Sequence, residues 1–128
     1  MNYYFNKTVN YSFEKAVERI TEELKSEGFG VLAEIDMQKT LKEKLNVDFR
    51  KYKILEACNP PFAYKSLVAE DKIGIFLPCN IVVQETDDNN IEIAVVNPVS
   101  AMQNVNNDKM KDIAAEIQTK LKTALSKV

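Results

Sequence analysis

Asn80–Thr86 and Ile91–Val96 read as two strands, carrying Ile81, Val82 and Val83 and then Ile91, Ile93, Val95 and Val96, and only Asp87-Asp88-Asn89-Asn90 separates them. Short runs rich in β-branched residues and bounded by turn residues are the mark of strands. A parallel pair needs a crossover of about a dozen residues or more, whereas a short polar turn joins antiparallel neighbours. A β-hairpin is therefore expected here, and a purely parallel sheet is excluded.

The other elements are read around this hairpin. Tyr3–Val9 reads as a first strand, and Ser12 offers a cap to a helix with Phe13, Ala16, Val17, Ile20 and Leu24 on one face. Gly28 stands where a helix-terminating glycine is expected. Phe29–Ile35 reads as a second strand, with Phe29, Val31, Ala33 and Ile35 on one side and Glu34 on the other, in a strand placed inside the sheet. Asp36 caps a short helix whose inner line is Met37, Leu41 and Leu45. A third strand covers Tyr52–Cys58. Asn59-Pro60 then combines a cap residue with a proline at the first helical position, opening a helix that carries Phe62, Ala63, Leu67 and Val68. Ile73–Leu77 is apolar throughout and fits either a buried strand or the tail of that helix, with Pro78 as the interruption. Asn97-Pro98 stops the hairpin's second strand. Asn106-Asn107-Asp108 caps a last helix with the stripe Met110, Ile113, Ala114, Ile117, Leu121, Ala124, Leu125 and Val128.

Strand, helix, strand, helix, strand, short helix, strands and long helix, each helix with one apolar face, fit an α+β two-layer sandwich. The helices are expected on one face of a mixed or mainly antiparallel sheet. At 128 residues the chain is expected to form a single domain over 1–128. An uncovered sheet face would seek a partner, so a homodimer is expected.

Seventeen basic residues against 19 acidic give a net charge of −2, and only Arg19 and Arg50 are arginines. That balance supplies no basic stripe for nucleic acid. The apolar runs are too short to span a bilayer, and no leader-like segment is read at the start, so a cytoplasmic location is expected. The chain has no histidine, which removes imidazole bases, Cys-His and Ser-His-Asp catalysis and histidine-ligated metals.

The candidate site lies at two similar corners, Cys58-Asn59-Pro60-Pro61 and Leu77-Pro78-Cys79-Asn80, expected to meet in space. A pocket lined by Glu34, Cys58, Asn59, Pro60, Cys79 and Asn80 is the favoured reading, holding a small-molecule ligand with no cofactor, no metal and no catalytic residue. A thiol-dependent enzyme or redox protein is the alternative, with Cys58 activated at a helix start and Cys79 resolving. A zinc site from both thiols with Glu34 or Glu56 ranks lower. The third reading is a structural assembly module, whose corners only shape turns.

Gly28-Phe29-Gly30-Val31-Leu32-Ala33-Glu34-Ile35-Asp36, Leu41-Lys42-Glu43-Lys44-Leu45, Asp48-Phe49-Arg50, the Cys58-Asn59-Pro60-Pro61 corner and Leu77-Pro78-Cys79-Asn80-Ile81-Val82-Val83 carry a resemblance. Through them the chain resembles, essentially end to end, the bacterial and archaeal family called domain of unknown function 302. The resemblance implies a compact α+β sandwich, commonly dimeric, and no particular activity. Asn97-Pro98 stands where such sequences often carry Asp-Pro, so this chain lacks that charge.

Overall fold

Alternating strands and single-faced helices assemble into one five-stranded sheet with a helical layer on one side. The computed structural model describes residues 2–128. The strands are β1 (Tyr4–Val9), β2 (Gly30–Asp36), β3 (Tyr52–Cys58), β4 (Cys79–Glu85) and β5 (Ile91–Val96). They lie in the order β1-β5-β4-β3-β2, and every neighbouring pair is antiparallel. The helices are α1 (Phe13–Ser26), α2 (Met37–Leu45), α3 (Pro60–Ala69), the single turn α4 (Pro98–Ala101) and α5 (Asp108–Ser126), with a 3-10 helix at Asp71–Phe76. This is the α+β two-layer sandwich that the pattern requires.

Local chemistry sets the ends of α1. Ser12 Oγ accepts the Lys15 N–H at 3.1 Å. At the other end Gly28 takes φ +90°, and the Phe29 and Gly28 N–H groups bond the Leu24 and Lys25 carbonyls at 2.9 and 3.0 Å. These are the two bonds of a Schellman stop, which needs a left-handed residue. The hairpin turns with Asn89 at φ 60°. Its Thr86 N–H donates to the Asn90 carbonyl at 2.8 Å.

Alternation sends Leu55, Ala57, Ile81, Val83, Ile93 and Val95 into the helical layer, where all are fully buried against α1 and α5. Ile20, Leu24 and Leu121 meet them from the helices, and burying each stabilises the fold by roughly 1.5–3 kcal/mol. A smaller apolar cluster of Ile73, Met102, Met110 and Ala114 joins the 3-10 helix to α4 and the start of α5. The opposite face of the sheet carries Ile54, Val82, Ala94 and Val96, which are only half-buried.

Several expectations need correction. A bulge lies between Val31 and Ala33, so Val31 pairs with Ala57 but Ala33 pairs with Glu56. The extra residue reverses the facing: Val31 points to the helices while Ala33 and Ile35 share the open side, and Leu32 is left 69% exposed. Glu34 therefore does not sit inside the sheet, because β2 is an edge strand. Leu45 is 66% exposed rather than an inner residue of α2, and no residue of α2 is fully buried. In α3 the buried residues are Phe62 and Ser66, leaving Val68 71% exposed. Ile73–Leu77 is neither strand nor α-helix tail but mostly 3-10 helix.

Asn97 is the polar residue on which the end of the sheet turns. It is 2% exposed, and its Oδ1 accepts from the Val99 and Ser100 N–H groups and from Gln118 Nε2 at 3.1–3.3 Å. Its Nδ2 donates to the Asn2 carbonyl at 2.9 Å. Asn97→Ala is expected to cost about 2–3 kcal/mol by orphaning these groups, and Asn97→Asp about 1–2, because only the donor is lost. Urea unfolding of both variants checks the order, and equal costs would refute this assignment of the bonds.

Candidate functional site

The β3–β4 register places the two Cys-Asn corners side by side. Ala57 pairs with Cys79 and Glu56 with Asn80, so the end of β3 lies against the start of β4. The side chains then diverge. Cys79 follows Ile81 and Val83 into the core and is 6% exposed. Cys58, at the end of the alternation, shares the open-side parity of Ile54 and Glu56 and is half-buried. Both thiols are free, and a pleat that sends neighbours to opposite faces explains why. Among the described residues no three His, Cys, Asp or Glu side chains are grouped to hold a metal ion. The set of two thiols with Glu34 or Glu56 is therefore not assembled.

A hollow of about 350 Å³ opens at this end of the sheet. Glu56, Cys79 and Asn80 contribute from the strands, Ile75 and Phe76 from the 3-10 helix, and Pro98, Ala101 and Met102 from α4 and the residue after it. Of the six residues expected to form one pocket, Cys79 and Asn80 line this hollow. Cys58, Asn59, Pro60 and Glu34 do not. Asn59 stands at the N-cap position of α3 but makes no capping bond. Its Nδ2 donates instead to the Glu27 carbonyl at 3.2 Å, tying the start of α3 to the end of α1. This contact also fixes Gly28, where an added Cβ would meet Asn59 Nδ2 at 3.0 Å. Pro60 is an exposed first helical residue.

Glu34 belongs to a different cleft, of about 540 Å³, between α1 and the β2–β3 end of the sheet. There it stands with Glu14, Glu18 and Asp36 beside Lys51 and Lys53. A hydrogen bond from its own backbone N–H, and then Lys51 Nζ at 3.2 Å, hold the Glu14 carboxyl below the usual range.

The open face carries a third depression, of about 400 Å³, with Tyr4 and Tyr52 as walls over Val82, Ala94 and Val96. Asn80 and Val96 border both this depression and the hollow at the strand ends. Below it runs a chain of side-chain bonds across the strands. Asn6 Nδ2 and Gln84 Nε2 donate to the two Glu92 carboxylate oxygens at 3.0 and 2.9 Å, and Arg50 Nε donates to Gln84 Oε1 at 2.9 Å. From the sequence, Glu56 is not among the expected pocket residues, and neither are Phe76 and Met102. Their convergence depends on the β3–β4 register and on where the 3-10 helix lies, neither of which has a local signal.

The strand order, the antiparallel pairing and a helical layer on one face define the protein as a two-layer α+β sandwich with an uncovered sheet face. The match to known proteins is equally specific. Residues 5–128 match the family described as "Domain of unknown function DUF302", and the chain belongs to that family. It is similar to a crystal structure of an uncharacterized conserved protein DUF302 from Bacillus stearothermophilus. The two are 33% identical, with a TM-score of 0.91 over 98% of this chain and 97% of that one. No curated protein matches the chain. No helix among the described residues is long and apolar enough to cross a membrane.

Burial, and to a lesser extent a charge on nearby Cys58, pushes the Cys79 thiol up to about 11. Against the ordinary value of 9.0, the thiolate at neutral pH is depleted about a hundredfold. Iodoacetamide is therefore expected to modify native Cys79 at least about a hundredfold more slowly than a model thiol. Since the folded pKa is the higher one, the unfolded chain loses its proton first. Stability present below pH 9 is expected to fall by on the order of 2–3 kcal/mol as the pH rises to about 11. Cys79→Val is expected to lack that share of the decline. Rapid native alkylation of Cys79 would refute the assignment.

Proposed function

We propose that the protein is a small dimeric binding module. A second copy of the chain covers the open sheet face, and a small-molecule ligand occupies the hollow beside Cys79 and Asn80. One observation carries the reading: across the middle of the open face four polar side chains bond one another while the apolar ones lie uncovered. Arg50, Gln84, Glu92 and Asn6 form a continuous network. Burying it orphans few polar groups, because the bonds are internal. Beside it, Val82, Ala94, Val96 and Ile54 offer apolar area ringed by Tyr4 and Tyr52.

A copy of the same chain is the partner this face suits best. A two-fold interface sets each patch against itself, so a patch of strong single-sign charge would repel its own copy. Here Arg50 balances Glu92, and Glu56 lies toward the end of the face near the hollow. An apolar centre with a bonded polar margin is the anatomy of a stable interface.

Thiol chemistry is less well supported, because a resolving Cys79 would have to react from a buried site with a raised pKa. We place the module in the cytoplasm, where two unpaired cysteines stay reduced.

Sedimentation of the native chain is expected to give twice the 14.6 kDa of one copy. Ala94→Arg, which sets a guanidinium in the centre of the open face, is expected to give a folded monomer. A native chain that sediments as a monomer, or an Ala94→Arg variant that remains a dimer, overturns this arrangement.

A further inference from the structure

Two carboxylates stand on the open side of the central strands, and they are treated differently. Each Glu92 carboxylate oxygen accepts a hydrogen bond, one from Asn6 and the other from Gln84. Glu56 is half-buried, and among the described residues its carboxylate has neither a hydrogen-bond donor nor a cation beside it. Its cross-strand neighbours are Ala33 and Asn80, and Ile54 and Cys58 flank it along β3, so no basic group is supplied from either side.

Glu56 is also the one charged side chain among the described residues that line the hollow of about 350 Å³. Apart from Asn80 and the neutral Cys79, the rest of the wall is apolar: Ile75, Phe76, Met102 and their neighbours. Exposed Ile75 and Phe76 form a lip, and buried Met102 lies deeper. The volume is at the lower end for sites that enclose a small organic molecule.

We propose that this hollow binds a small apolar ligand carrying one cationic nitrogen. The Glu56 carboxylate and the Asn80 amide oxygen accept its N–H groups, and the apolar body packs against Phe76, Ile75 and Met102. The inference rests on the hollow being the binding site and adds the chemistry of what it takes. An anionic ligand would meet Glu56 unpaired against it, and a neutral one would leave the carboxylate without a charged donor. A charge-assisted hydrogen bond is roughly twice as strong as a neutral one, which sets the direction of selectivity.

Three probes of matched shape test this: 4-phenylbutylamine, 4-phenylbutanol and 4-phenylbutyrate. Each is titrated into the full chain while amide and methionine-methyl NMR signals are followed. The amine is expected to bind about tenfold more tightly than the alcohol and the carboxylate more weakly than either, with shifts centred on Asn80, Phe76 and Met102. Glu56→Gln keeps the side-chain shape and removes no partner. It is expected to lower amine affinity to that of the alcohol while leaving alcohol binding unchanged. Equal binding of amine and alcohol at the hollow, unaffected by Glu56→Gln, overturns the cation preference and leaves the hollow as a site. No shift at Asn80, Phe76 or Met102 with any probe overturns both. Ala101→Trp, which fills the hollow, is expected to abolish the shifts, and their survival would place binding elsewhere.

Discussion

Three asparagine side chains, each at the start of a helix, tie that helix to a distant part of the chain by donating from Nδ2 to a carbonyl remote in sequence. Asn59 reaches Glu27, Asn97 reaches Asn2, and Asn107 reaches Ala69, at 3.2, 2.9 and 2.9 Å. Asn97 and Asn107 also cap the helices that follow them, through Oδ1. A primary amide is suited to this because it donates and accepts from one rigid plane, whereas a carboxylate only accepts. The hollow is framed by two of these clamps. Asn97 fixes where α4 starts, and Asn107 ties the head of α5 to the last residue of α3, just before the 3-10 helix. The cavity walls are therefore set by buried polar geometry as well as by apolar packing.

Elements governed by one local rule were legible in the sequence. The α1 stripe with its Ser12 cap and glycine stop, the α5 stripe and the 80–96 hairpin need no knowledge of the rest of the fold. Where two rules competed, the local one lost. Asn59 before Pro60 has the composition of a cap, but Pro60 and Pro61 bring no N–H to its Oδ1, and its amide is used instead to donate to the Glu27 carbonyl. Perfect alternation along β2 is broken by a bulge that only the partner strand defines. Leu45 fits the inner line of α2, yet that helix lies against β3 with no further layer over it.

The site was half legible for the same reason. Similar corners at Cys58 and Cys79 suggested a meeting, and antiparallel pairing of β3 with β4 brings them together. Which residues then face a common space depends on parity. Pairing Ala57 with Cys79 puts that thiol among the buried side chains, while Glu56 and Asn80 emerge together on the other side. Glu34 looked comparable to Glu56 in sequence, yet it sits across the sheet beside Leu55 and faces α1. The single inserted residue in β2 decides that Glu34 borders the α1 cleft, while the β3–β4 register decides that Glu56 borders the hollow.

The exposed edges bear on how a second copy would approach. Strand addition needs a regular edge with a free row of backbone groups. At β2 the bulge breaks that row and turns it, and at β1 the Lys7 amine is committed to the carbonyls of Ser126 and Val128 at the end of α5. A continuous ten-strand sheet across β2 would also have to match a partner edge to the extra residue at Leu32. The open face asks for no such match, because the side-chain bonds across its middle are already closed and its central residues are short. Association through that face is accordingly the arrangement we favour. It would set the partner beside Asn80 and Val96, at the border of the hollow, so that dimer formation and ligand access share the same residues.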